Sequence, residues 1–314
     1  MLTTLGRRAR GWVEATQPWT NVYGLARTLL ALGTAGTLLF SHSTSLFRPA
    51  AGIPEVPICS GLQRLSLFCW VPRGHLEAGR WIAVALLLVV ASGWRPRWTA
   101  LIHWWVTLSL SICALLVDGG DQMATVLTLL LLPLALTDPR PWHWSPAPAR
   151  APTRQDELAR LVALSAHLMV RVQMAGTYFH ASLGKLKSDE WADGTALYYW
   201  FTQESLGVPR WFQHVMSPLL TSRWVALLTW GVLVFEFLLF MSLTWGRGSK
   251  RVLLSLAVAF HVSIAITYGL TSFLASMSAG LILLLRPLDE PFNFQRESNW
   301  READPTLEMK GGAA

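Results

Sequence analysis

The sequence predicts an all-α membrane protein, a polytopic bundle of about eight transmembrane helices with both chain ends in the cytoplasm. Three observations carry this. Hydrophobic residues make up 52% of the 314 positions and charged residues 14%, where a soluble domain carries about 25% charged residues. The apolar residues fall in blocks long enough to cross a bilayer core of about 30 Å, which takes roughly 17 to 25 helical residues. The arginines gather between those blocks, where Lys and Arg hold cytoplasmic loops in place. The formal charge of +7 is accounted for by those loops, and nucleic acid is not an expected partner.

Taken in order, residues 1–21 form a cytoplasmic or interfacial N-terminus. Arg7, Arg8 and Arg10 lie well before the first apolar run, and that run is long for the core of a signal peptide, so an uncleaved first span is expected. Residues 11–21, with Trp12 and Trp19, read as a short helix lying at the membrane interface, where indole rings settle. The transmembrane domain occupies 22–286, with spans at about 22–41, 78–94, 99–117, 120–137, 160–184, 222–244, 251–268 and 270–286. Helices are required because an isolated strand leaves its backbone unpaired in lipid, and no alternating barrel pattern is present. With the N-terminus inside, every inside loop is basic, and the outside segments hold about half as many Lys and Arg. Loop 138–159, rich in proline and arginine, reads as a cytoplasmic linker, and 287–314 as a polar cytoplasmic tail.

Several residues have the potential for chemistry. Cys59 and Cys69 lie in the first outer loop as C-x9-C. Outside a bacterial membrane a structural disulfide is expected there, worth roughly 2 to 3 kcal/mol for a loop of this size. A redox pair is the alternative, although the spacing is wider than in oxidoreductase motifs. Cys113, within a span, reads as a small buried hydrophobe.

The fifth span is the most polar. His167, Arg171, Tyr178 and Lys185 follow at intervals of 4, 7 and 7. At about 100° per residue they share a stripe of about 40° on one helical face. Charges inside a bilayer are costly and face a cavity or a partner. The stripe therefore predicts a polar pocket opening outward near Lys185, or a structural pairing of Arg171 with a carboxylate such as Glu236. His180 points the opposite way. The outer turn from Asp118 to Asp121 reads either as a helix cap through Asp121 or as a metal site. His261 and Tyr268 share a face of the seventh span, and His261 reads as a proton shuttle or as a buried, hydrogen-bonded histidine. No common protease constellation is present. A Ser/Lys dyad of Ser182 or Ser188 with Lys185 is one further arrangement.

The segments Y-F-H-A-S-L-G-K-L, W-A-D-G-T-A-L-Y-Y-W and F-H-V-S-I-A-I-T-Y-G-L-T-S-F resemble the HTTM group, membrane proteins related to vitamin K-dependent γ-glutamyl carboxylase. T-N-V-Y-G-L-A-R-T-L-L-A-L-G, P-I-C…F-C-W, H-L-E-A-G-R-W, D-G-G-D-Q and L-P-L-A-L-T-D-P-R bring the chain nearest to its SdpB-like members, over most of residues 17–285. The resemblance implies the cytoplasmic (inner) membrane of a bacterium and an SdpA-like partner protein. It also implies a secreted precursor that becomes an antimicrobial peptide toxin. It places on Lys185 the carboxylase lysine that deprotonates reduced vitamin K, so a reduced quinone is an implied cofactor. The chain lacks the carboxylase's large soluble domain and has one lysine, Gly184-Lys185, where the carboxylase has two. Immunity or export without catalysis is the remaining role, and whether the chain is itself an enzyme stays open.

Overall fold

A computed structural model describes residues 11–53, 56–115, 117–146, 153–203 and 208–292. Among them there is no strand, only the isolated bridges Ala50–Ile53 and Trp94–Trp142. Eight longer helices account for the predicted spans: α1 (Asn21–Phe40), α2 (Leu76–Ala91), α3 (Pro96–Cys113), α4 (Gly119–Leu136), α5 (Arg154–Lys185), α6 (Trp224–Met241), α7 (Arg247–Tyr268) and α8 (Thr271–Leu285). Five of them, α1, α4, α5, α6 and α7, are long and apolar enough to cross a membrane. With 16 and 15 residues, α2 and α8 fall below the usual span. The basic stretch at residues 7–10 and the tail beyond Phe292 lie outside the described residues.

The last helix is the centre. In α8 every residue from Ser276 to Leu285 is buried, with α1, α4, α5 and α7 packed around it. Its small residues Ser276, Ser278, Ala279 and Gly280 let neighbouring backbones come close, the usual means of helix association in lipid. The contact with α4 is tighter still, since a Cβ on Gly120 would lie 2.4 Å from the Phe273 backbone nitrogen. A second apolar cluster joins α1, α2 and α3 to Phe47 and Phe68 of the connecting segment. The outer faces of α6 and α7 remain apolar and exposed, at Leu227, Val234, Val252 and Ile266 for example, as a lipid-facing surface requires.

Each end of the bundle is tied by polar contacts. At one end Arg80 donates to the Leu38 carbonyl at 2.5 Å and to Glu77 at 2.7 Å, while Glu77 accepts from the Ser43 amide at 2.8 Å. At the opposite end the Arg95 amide donates to the Pro141 carbonyl at 2.7 Å, and Asn21 exchanges two hydrogen bonds with the Phe292 backbone.

Two expectations are corrected here. The first half of loop 138–159 is not a solvated linker: Asp138, Arg140 and His143 are buried. Residues 147–152 lie outside the described residues. Of the helix expected over 11–21 only residues 11–15 are helical, and Trp19 is buried against the bundle, its indole N–H donating to the Leu134 carbonyl at 3.3 Å. Trp12 stays exposed. The linker gives way to α5 at Thr153, which forms a capping box with Asp156 and so starts the 32-residue helix that carries the polar stripe.

Candidate functional site

The polar stripe of α5 is divided between the two ends of the bundle. Near its start, His167 Nε2 donates to the Leu283 carbonyl at 2.9 Å, level with the end of α8. Arg171, one turn on, borders the same region and has no carboxylate partner among the described residues, so the pairing of Arg171 with Glu236 is not formed. Glu236 goes instead to the far end of the stripe. Lys185 Nζ donates to its two carboxylate oxygens at 2.5 and 2.7 Å. The pair sits where α5 ends against α6, with the Glu236 side chain 8% exposed and the Lys185 side chain 27% exposed. The ammonium also lies 5.3 Å from the centre of the Trp191 ring, a cation–π contact that shields it further.

Tyr178 and His261 meet between these ends, their rings edge to face at 6.2 Å. The Tyr178 hydroxyl is buried without a hydrogen-bond partner. His261 Nδ1 donates to the Ala257 carbonyl at 2.8 Å, which leaves Nε2 as its second nitrogen. His180 is exposed. Ser182 donates to the Leu233 carbonyl at 3.0 Å, and Ser188 donates to Glu190 at 2.5 Å. Neither hydroxyl is directed at Lys185. Tyr268 packs edge-on against Trp200 and Phe201 of the segment after Lys185. That segment encloses a polar cavity of about 810 Å³ bordered by Tyr198, Arg210, Gln213 and His214.

The Lys185–Glu236 pair can hold a substrate carboxylate or move a proton. A lysine acting as base must first give up a proton, and Glu236 is the acceptor in hydrogen-bond reach.

At the same end of the bundle Cys59 and Cys69 form a disulfide with Cα atoms 5.5 Å apart, and Cys113 is a buried free thiol. The turn before α4 is a cap, but through Asp118 rather than Asp121: Asp118 Oδ1 accepts from the Asp121 amide at 2.8 Å. Its other oxygen accepts from Ser272, binding α4 to α8. Asp121 is buried and accepts from Thr37 at 2.8 Å. Among the described residues no three His, Cys, Asp or Glu side chains are grouped to hold a metal.

One polar cluster escaped the sequence reading. Arg27, 2% exposed in α1, has a single side-chain partner, Thr99, at 2.6 Å. Around it Tyr23, His103 and His143 are buried, each with a polar atom that lacks a partner. A charge in the first span and a histidine in the third were the visible signals. His143 could not be placed there from sequence, because it comes from the loop. Its ring lies over Gly93, where φ is +89° and a Cβ would approach the ring to 2.4 Å.

Burial, with Arg27 and Arg140 nearby, pushes the His143 pKa down to about 2. The Thr28 hydroxyl donates to the Ala91 carbonyl, so His143 Nε2 donates to Thr28 at 3.3 Å and the ring is neutral. Between about pH 2 and the unfolded value of about 6.5, the unfolded chain binds a proton that the folded chain refuses. This stability is fully present above about pH 6.5 and falls as pH drops, by about 1.4 kcal/mol per unit. The thermal midpoint is therefore expected to fall between about pH 7.5 and 5.5, and His143→Gln to flatten that dependence.

Helices of this length and polarity, with an ion pair at one end of the bundle, define a helical membrane protein. The chain is 34% identical over 282 residues to the sporulation-delaying protein SdpB of Bacillus subtilis (strain 168), covering 89% of this chain and 85% of SdpB. It belongs to the SdpB family. The uncharacterized protein YitO of the same organism is 40% identical over 296 residues, 94% of each chain. No protein-family model and no solved structure matches the chain.

Proposed function

We propose that this chain is the membrane subunit that matures a secreted antimicrobial peptide toxin, working at the extracytoplasmic face. The observation that carries the chemical part is the Lys185 ammonium held on the nearly buried Glu236 carboxylate at the end of α5. Membership in the SdpB family supports the biological part. In this reading the chain crosses the bacterial cytoplasmic membrane eight times, with both ends inside, as the arginine distribution favours. Lys185, the Cys59–Cys69 segment and the Asp118–Asp121 turn then face the side where a secreted precursor arrives. An SdpA-like protein is the partner, and a reduced quinone would be the species that Lys185 deprotonates if the step is of carboxylase type.

A strain lacking the chain is expected to secrete unprocessed precursor and no mature peptide, read by mass spectrometry of the medium. Mature peptide made at the normal level by cells that then die, or that retain it, would overturn the reading in favour of immunity or export. Mature peptide formed normally in a quinone-free strain would remove the quinone.

A further inference from the structure

At the end of the bundle opposite Lys185, a cavity of about 270 Å³ opens between α5, the start of α7 and the end of α8. Its charged border consists of Arg171, Arg247, Lys250 and Arg286 against the single carboxylate Asp289. That carboxylate is engaged, since Arg247 donates to it at 3.2 Å. Arg286 is turned towards the chain end, donating to the Glu290 and Pro291 carbonyls with its guanidinium over the Phe292 ring. Arg171 and Lys250 are left over. Lys250 is 8% exposed, and among the described residues its side chain has neither an ion pair nor a hydrogen bond. Arg171 Nε is buried without a partner. Both cations border the same cavity.

Two cations that are partly withdrawn from water, with no counterion among the described residues, favour an anion between them. The backbone adds to the same field. The 22-residue α7 begins at Arg247 with Gly246 as its cap and no side chain covering its first amides, and such a helix start attracts negative charge. His167, fixed on the Leu283 carbonyl, closes the floor. The volume corresponds to about nine water molecules at roughly 30 Å³ each, enough for a phosphoryl group and the start of its ester.

We propose that this cavity binds a phosphoryl group, with Arg171 and Lys250 as its two principal ligands. The group comes either from an anionic phospholipid headgroup or from a soluble phosphate compound. A lipid headgroup fits the position at the mouth of a helical bundle, where basic pockets between helices hold anionic heads.

The test uses the full chain, purified in detergent and delipidated. Phosphatidylglycerol, phosphatidylcholine and inorganic phosphate are added separately, and thermal midpoint and lipid retention in native mass spectrometry are read. Wild type is expected to be stabilised by phosphatidylglycerol over phosphatidylcholine, and Arg171→Gln/Lys250→Gln to bind about tenfold more weakly or worse. Without any anion the double variant is expected to be at least as stable as wild type, because a like-charge repulsion is gone. Should it fail to fold, Lys250→Gln alone carries the comparison. Arg154→Gln, on the exposed start of α5, should bind as wild type. A response to phosphatidylglycerol alone identifies the lipid source, and a full response to inorganic phosphate identifies the soluble one. Equal responses from wild type and the double variant, or no probe exceeding sodium chloride of matched ionic strength, would overturn the proposal.

Discussion

Lys185→Ala is expected to abolish mature peptide while leaving the chain inserted in the membrane. The substitution removes the charged partner of a carboxylate that is 8% exposed. Breaking a fully buried pair costs about 3 to 5 kcal/mol. Lys185 is partly open to solvent, so the loss here belongs well below that range. Loss of product alone would therefore not separate chemistry from structure. Two further substitutions do. Lys185→Met with Glu236→Leu replaces the pair by apolar side chains of similar size, a change that is often neutral or stabilising. That protein is expected to fold and accumulate normally and still make no mature peptide. Lys185→Arg keeps the charge but cannot yield its proton near neutral pH. Failure of the arginine variant indicates proton transfer, while its success leaves Lys185 as an anchor for a negative group. Normal maturation by the Met/Leu variant would sink any functional role for the pair.

How much of this could be read from the sequence depends on the range of the contacts. The helices followed from apolar block length, a local property, and each predicted span has its helix within a few residues. The stripe on α5 followed from periodicity alone. Its partners did not, because helical phase says which residues share a face and not which neighbour meets them. Charge balance in the bilayer offers Glu236 to Arg171 as one of two readings of the stripe. The structure gives it to Lys185, about four helical turns further along the same face. Loop 138–159 departs from expectation for a related reason. Its prolines and arginines have the composition of a solvated linker, but Arg140 is neutralised by Asp138, only two residues before it, and then folds inward. The cap formed by Thr153 and Asp156 starts α5 at Arg154, six residues before the span expected from 160. The buried set of Tyr23, Arg27, His103 and His143 joins two helices and a loop far apart in sequence. No spacing rule connects them.

That inward fold makes Asp138→Ala the most damaging substitution expected for stability. Arg140 Nε and Nη2 donate to the two Asp138 oxygens at 2.9 and 2.8 Å, and both side chains are essentially inaccessible. Removing the carboxylate strands a guanidinium in a region that already holds Arg27, itself buried with one partner. The cost should reach the full buried-pair range of about 3 to 5 kcal/mol, read as a lowered unfolding midpoint of the purified chain. Asp138→Leu with Arg140→Met should not rescue it, in contrast to the matching exchange at Lys185 and Glu236. Arg140 Nη1 also donates to the His143 and Ser145 carbonyls at 2.8 and 2.9 Å. An apolar residue leaves those carbonyls unsatisfied at about 1 to 3 kcal/mol each. The same loop holds α3, since Arg97 donates to the Asp138 carbonyl at 2.8 Å. Opening it should therefore expose the chain near residues 138–146 to protease before the rest of the bundle unfolds. Full recovery in the Leu/Met variant would show that the ion pair does not anchor the loop.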